Sequence, residues 1–234
     1  MRLDLASKND SSVNSIYFTS KIIMPASEVI IIGADAIVHS LIKEKIELLG
    51  SFSFTPKLVE MLYRDIPAQY AFIIIEKEHI SVISDPYGII KIYYYIGDDN
   101  VVLTDSLKEL EAENLSLDSN ALKYYFVTGY TPSKHTFFEQ VHKVEPFTIN
   151  IFDKKGLIET HTYGQFGTKA ISGNEFLDRF QQALSKVLDF TKKHYESPEM
   201  ALSGGIDSSF LLMLMSNKKM IKDSKLSAFR MKGL

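Results

Sequence analysis

The run Glu199-Met200-Ala201-Leu202-Ser203-Gly204-Gly205-Ile206-Asp207-Ser208-Ser209-Phe210 constrains the fold of this chain more than any other stretch. It reads as a short strand, a glycine turn and a helix begun near Asp207 and Ser208, continued by the apolar Phe210, Leu211, Met213 and Leu214. A second apolar run, Leu226 to Arg230, is far enough away to be reached only by a crossover, so the two predict one β-α-β unit of a parallel sheet. Adjacent glycines allow positive φ and close approach of the backbone to a ligand, and the helix that follows aims its positive end at the same point. Ser203, Ser208 and Ser209 add hydroxyl donors, and a carboxylate at Asp207 beside phosphate makes sense as a Mg²⁺ ligand. The same residues also satisfy a plain strand-to-helix turn with Asp207 or Ser208 as its N-cap, and spacing alone leaves both readings open.

Composition removes several other classes. The 234 residues carry 26 Lys and Arg against 29 Asp and Glu, a formal charge of -3, so no basic field draws nucleic acid or anionic lipid. Lys192-Lys193-His194 and Lys218-Lys219 fall where cations complement helix ends. Zero cysteines exclude disulfides, thiolate metal sites and a thiol nucleophile. His39, His79, His135, His142, His161 and His194 show no metal-ligand spacing. The amino terminus lacks a secretory apolar stretch and no window reaches bilayer length, which predicts a cytoplasmic protein with no membrane contact.

Before the glycine turn the pattern is mostly short and β-branched. Strands are expected at 27–32, 70–75 and 80–84, with hairpins pairing 89–96 to 101–104 and 147–152 to 157–162. Helices are expected at 36–49 before Gly50, at 56–64 behind a Thr55 cap, and at 119–128 with Gly129 as terminator. The stretch 163–175 reads as a domain junction. Beyond it Phe176, Phe180, Ala183, Leu184, Val187 and Leu188 follow helical spacing behind a Ser172 and Glu175 capping box, and this stripe is expected to be core.

The order Ser-Gly-Gly-x-Asp-Ser at 203–208 resembles the ATP pyrophosphatase loop of the asparagine synthetase-like family, and no Walker-type Gly-x-x-x-x-Gly-Lys-Ser/Thr occurs. Asp85-Pro86-Tyr87-Gly88 with Tyr93-Tyr94, Thr104-Asp105-Ser106-Leu107-Lys108, Gly129-Tyr130-Thr131-Pro132 and Phe138-Glu139-Gln140-Val141 through Pro146 resemble that family's segments in the same order. The resemblance spans roughly residues 60 to 234. It implies an α+β, Ntn or class II glutamine amidotransferase-like sandwich over 1–165, then the start of an α/β parallel-sheet ATP pyrophosphatase domain of the adenine nucleotide α-hydrolase type over 166–234. It further implies ATP and Mg²⁺ as cofactors, held by Leu202, Ser203, Gly204, Gly205, Asp207, Ser208, Ala228 and Phe229, with Asp207 on the metal. The implied reaction joins a carboxylate to an amine, of an amino acid or peptide, through an acyl-adenylate with pyrophosphate release.

Departures from the family pattern shape the expectation further. Family members that hydrolyse glutamine carry a cysteine after the initiator methionine, where this chain has Arg2; it also lacks their Asn-Gly-Glu segment and has Ala68 at a usual glycine. Glutaminase chemistry is therefore expected to be absent, as in relatives that close an amide within one substrate, the β-lactam synthetases and lasso-peptide cyclases. No catalytic residue is assigned. One β-α-β unit leaves a parallel sheet incomplete, which predicts a truncated chain, completed by a second chain or further sequence, or a non-catalytic nucleotide-binding or scaffold subunit.

Overall fold

Val29, Ile30, Ile31 and Ile32 are all fully buried, which an alternating half-exposed strand would not allow; this strand is covered on both faces. In the computed structural model, which describes residues 2–4, 19–24, 27–48, 54–97, 101–110, 114–167, 170–196, 198–220 and 225–228, the chain divides into two compact units, Met1–Gly167 and Thr168–Leu234.

The first unit is α+β with antiparallel sheets. Its six-stranded sheet runs β10-β9-β5-β4-β3-β2, built from β2 (Thr19–Ile23), β3 (Glu28–Ile32), β4 (Ala71–Ile75), β5 (Ile80–Ile83), β9 (Thr148–Asp153) and β10 (Gly156–Thr162). A four-stranded sheet runs β1-β7-β6-β8, from β1 (Arg2–Asp4), β6 (Tyr93–Ile96), β7 (Val101–Thr104) and β8 (Val141–Lys143). One cluster joins their facing surfaces: Ile30, Ile32, Ile73, Val82 and Phe152 from the larger sheet meet Leu3, Tyr94, Val101 and Leu103 from the smaller. The alternate residues Val29, Ile31, Phe72 and Ile74 lie on the other face of the larger sheet, where α2 (Pro56–Asp65) packs Tyr63 against Phe72 and is tied to α1 (Ala36–Leu48) by Asp65 and Lys45.

Local chemistry explains where these helices start and stop. Thr55 caps α2, accepting the Leu58 N–H on Oγ1 at 3.4 Å, and Pro56 takes the first helical position, where its fixed φ fits and no donor is needed. Val38, Ile42 and Ile46 give α1 a buried stripe at four-residue spacing, and Tyr63 of α2 sets its ring 6.4 Å from that of Phe72. Lys45 Nζ of α1 reaches Asp65 Oδ2 at 2.7 Å, and that hydrogen bond holds the Asp65 carboxyl below its ordinary range. In α3 (Ser119–Thr128) the Asp118 Oδ1 accepts from the N–H groups of Asn120 and Ala121, both at 2.9 Å, and Gly129 closes the helix at φ +80°.

The strand expected at 89–96 begins only at Tyr93. Asp85, 1 % exposed, accepts the Tyr87 N–H on Oδ1 and the Ile90 N–H on Oδ2, each at 2.9 Å, which bends 85–90 into a turn and delays the strand. Gly88 sits in that turn at φ +61°, and a Cβ there would meet Pro146 Cγ at 2.9 Å. In Tyr93-Tyr94-Tyr95 only Tyr94 enters the sandwich, against Phe152, while Tyr93 and Tyr95 pack beside Val102, Val141 and Phe138 on the opposite face.

His142 lies against Tyr94, ring centroids 5.2 Å apart, with its Nδ1 buried and unpartnered. Burial, then the nearby Lys134 and His135, lower its pKa. The unfolded chain therefore takes up the proton first, and this site's stabilising contribution is full above the unfolded value of about 6.5 and lost as pH falls below it. Urea unfolding at pH 5 to 7.5 should show stability rising with pH, and His142→Leu should flatten that slope; an unchanged slope would remove His142 as its source.

The second unit contains α4 (Gly173–His194), β11 (Glu199–Leu202), α5 (Ile206–Asn217) and β12 (Lys225–Ala228), with β11 and β12 parallel. Ser172 caps α4, its Oγ accepting from the Glu175 N–H at 3.2 Å, while the Glu175 carboxylate bonds Arg179 at 2.6 Å. Leu188, Met200, Met215 and Met220 form the core of this unit, supported by Leu202, Leu211, Leu212 and Leu214. The helical stripe expected to be core is largely outside it. Leu188 is buried, but Phe176 is 54 % exposed, Phe180 43 % and Val187 42 %. Helical spacing identifies an apolar face, not its cover, and the two strands and two helices described here bury only its C-terminal end.

Candidate functional site

Strand β11 ends at Leu202, which is half-buried and packs with the Met200 and Met215 cluster, so the chain leaves the sheet from an anchored point. Gly204 then turns at φ +81°. A Cβ there would meet nothing within 4 Å, so conformation rather than space makes glycine the fitting residue, and the room above it is open. Gly205 is the N-cap of α5, with no side chain to cap the helix, and the helix starts at Ile206. Neither Asp207 nor Ser208 serves as the N-cap; both lie inside the first turn.

The serines organise this turn. Ser203 Oγ accepts the Gly205 N–H at 3.3 Å, Ser208 Oγ donates to the Gly205 carbonyl at 3.1 Å, and the two hydroxyls lie 3.1 Å apart. Residues 203–207 are exposed and Ser208 half-buried. Asp207 is the acidic residue of the first turn. Two hydroxyls, an open glycine and the positive end of a 12-residue helix without a side-chain cap suit an anion. One carboxylate suits a cation that arrives with it, since among the described residues no group of three His, Cys, Asp or Glu could hold a metal alone. Ala228 lies beside Leu202 as its parallel partner in β12, so the loop and the end of the second strand share one edge. Phe229 lies outside the described residues.

In the first unit the structure gathers residues that the sequence did not connect. The Ser84 carbonyl, next to Asp85, accepts from Tyr163 Oη at 2.6 Å and from Tyr63 Oη at 3.3 Å, and Tyr63 also donates to the Tyr70 carbonyl at 2.7 Å. The Tyr63 ring stacks on those of Tyr70 and Tyr163, with centroids 4.6 and 5.7 Å away. Burial raises the pKa of all three phenols, so each stays neutral; Tyr63 and Tyr163 are donors, while the Tyr70 hydroxyl is buried without a partner. Ser84 Oγ donates to the Glu145 carbonyl at 2.6 Å and accepts the Thr148 N–H at 3.0 Å. The Asp85 turn is thus clamped by residues up to 79 positions away, and its role is architectural. No spacing rule could have paired Tyr63 with Tyr163.

The match to a known domain family falls within this first unit. Residues 57–164 match the glutamine amidotransferase domain family. The glutamine-hydrolysing asparagine synthetase 1 of Bacillus subtilis is 31 % identical over 151 residues, 61 % of this chain and 24 % of that protein. Among solved structures, the glutamine phosphoribosylpyrophosphate amidotransferase of B. subtilis complexed with ADP and GMP matches at a TM-score of 0.33 and 12 % identity, over 90 % of this chain and 47 % of that one. The allosteric regulatory enzyme of purine biosynthesis matches at a TM-score of 0.31 and 13 % identity, over 88 % and 45 %. The chain spans about a quarter of the length of the curated relative it matches. No helix among the described residues is long and apolar enough to cross a membrane. Residues 57–164, in a setting of two antiparallel sheets and flanking helices, thus resemble a glutamine amidotransferase domain, and the chain is similar over part of its length to an asparagine synthetase.

Proposed function

We propose that this chain belongs to an ATP-dependent amide-forming system of the asparagine synthetase type, acting in the cytoplasm, in which the sandwich has no glutaminase activity and the loop after β11 binds MgATP. The loop geometry carries this reading: Gly204 at φ +81° opens an exposed turn onto a helix whose N-cap is a glycine. Main-chain amides of the turn, with Ser203 and Ser208, bind and orient the β and γ phosphates, and Leu202 and Ala228 border the nucleotide at the sheet edge. Asp207 is the residue that would hold Mg²⁺. Bound MgATP would supply the adenylyl group that makes a substrate carboxylate reactive toward an amine, as an acyl-adenylate, with pyrophosphate as the leaving group. Positioning and charge neutralisation supply the rate. A chain with no cysteine has no thiol to release ammonia from glutamine, so the amine comes with the substrate, as in peptide or amino-acid cyclisation.

One observation favours a second reading, a scaffold subunit or a chain completed by a partner. Glu199 and Ala201 on one side of β11 are exposed, and parallel sheets are stable when covered on both faces. Calorimetry of the full chain with MgATP tests the primary reading. Saturable heat is expected, and Asp207→Ala, an exposed change, should weaken binding at least tenfold. No heat at saturating MgATP sinks the nucleotide site. Binding without pyrophosphate exchange, alone or with the products of neighbouring genes, assigns the chain to the scaffold reading.

A further inference from the structure

The outer face of the six-stranded sheet is covered unevenly. Where α2 begins, a cavity of about 360 Å³ opens against β4, β5, β9 and β10, a volume in the range of small-ligand sites. Its floor is three isoleucines, Ile74, Ile149 and Ile151, of which Ile74 and Ile149 are each only 4 % exposed. Ser81 lies among them, Phe54 and Pro56 form a wall, and Glu76 and His161 are the ionisable groups of its lining.

The charge of this cavity has a direction. Among the described residues no Lys or Arg lines it. The His161 imidazole lies 3.1 Å from Glu159 Oε1, so any positive charge on it is already balanced. The start of α2 adds little for an anion, because Pro56 has no N–H and the Leu58 N–H is taken by Thr55. Glu76 is left as the group at the cavity that most favours a charged ligand, over a floor that favours branched aliphatic carbon.

We propose that this cavity binds a small organic cation, a primary ammonium on a branched aliphatic body, with the ammonium at Glu76 and the methyl groups on the isoleucine floor. The site is independent of the loop after β11.

Isoleucine-methyl NMR of the full chain tests it, with 3-methylbutylamine as the probe and 3-methylbutan-1-ol and 3-methylbutanoate as its neutral and anionic counterparts. The amine should shift the Ile74, Ile149 and Ile151 methyls saturably, at least tenfold more tightly than either counterpart, leaving Ile30 and Ile32 between the sheets unmoved. Glu76→Gln, at an exposed position, should remove the preference for amine over alcohol, and Ser81→Leu should fill the cavity and abolish the shifts while the Ile30 and Ile32 signals report an intact sandwich. The proposal is overturned by the absence of saturable shifts, by alcohol or carboxylate binding as tightly as amine, or by amine binding that survives Glu76→Gln undiminished.

Discussion

Phe152→Ala should destabilise the first unit by about 3 to 5 kcal/mol, the cost of removing a large aromatic ring from a close-packed core. Phe152 is completely buried, its ring lies 5.2 Å from that of Tyr94 in the opposite sheet, and its strand position pairs with Ile80 on one side and Leu157 on the other. The ring is therefore a contact between the two sheets as well as filling for one. Neither neighbouring strand can close the gap without breaking its own register. Phe152→Leu, which keeps most of the apolar volume, should cost clearly less. Urea unfolding followed by tyrosine fluorescence measures both, and a loss under about 1 kcal/mol for the alanine variant would mean that the sheets do not meet at this ring.

Asp85→Ala should cost about 3 kcal/mol, for a different reason: a buried main-chain N–H, that of Ile90, and a part-buried one, that of Tyr87, lose their carboxylate acceptor, and water cannot readily replace it at Ile90. The bonds to Tyr87 and Ile90 hold the turn that brings Ile90 and Ile92 into the cluster between the sheets. Asp85→Asn, which keeps one oxygen acceptor, should recover part of the loss. If alanine is tolerated within about 0.5 kcal/mol, the clamp on Ser84 from Tyr63 and Tyr163 shapes the turn without the carboxylate.

The contrast between these two residues separates what could be read early from what could not. Asp85-Pro86-Tyr87-Gly88 announces a turn through its own chemistry, since an aspartate that bonds its following amides and a glycine at positive φ act over a few residues. Phe152 announces only an apolar strand position. Its partner across the sandwich, Tyr94, is fixed by how the ten strands among the described residues of this unit divide between two sheets, and β1 reaches its neighbour β7 across about a hundred residues of chain, Leu3 opposite Leu103.

The helix boundaries set by Thr55, Pro56, Gly129 and Ser172, and the glycine turn between β11 and α5, though not its capping residue, followed from sequence because each depends on hydrogen bonds and steric limits within one turn of backbone. Sheet membership, the tyrosine clamp on Ser84 and the exposure of Phe176 and Phe180 were decided by tertiary structure alone. An apolar side chain carries the same transfer free energy wherever it stands, and only the path of the rest of the chain determines what covers it.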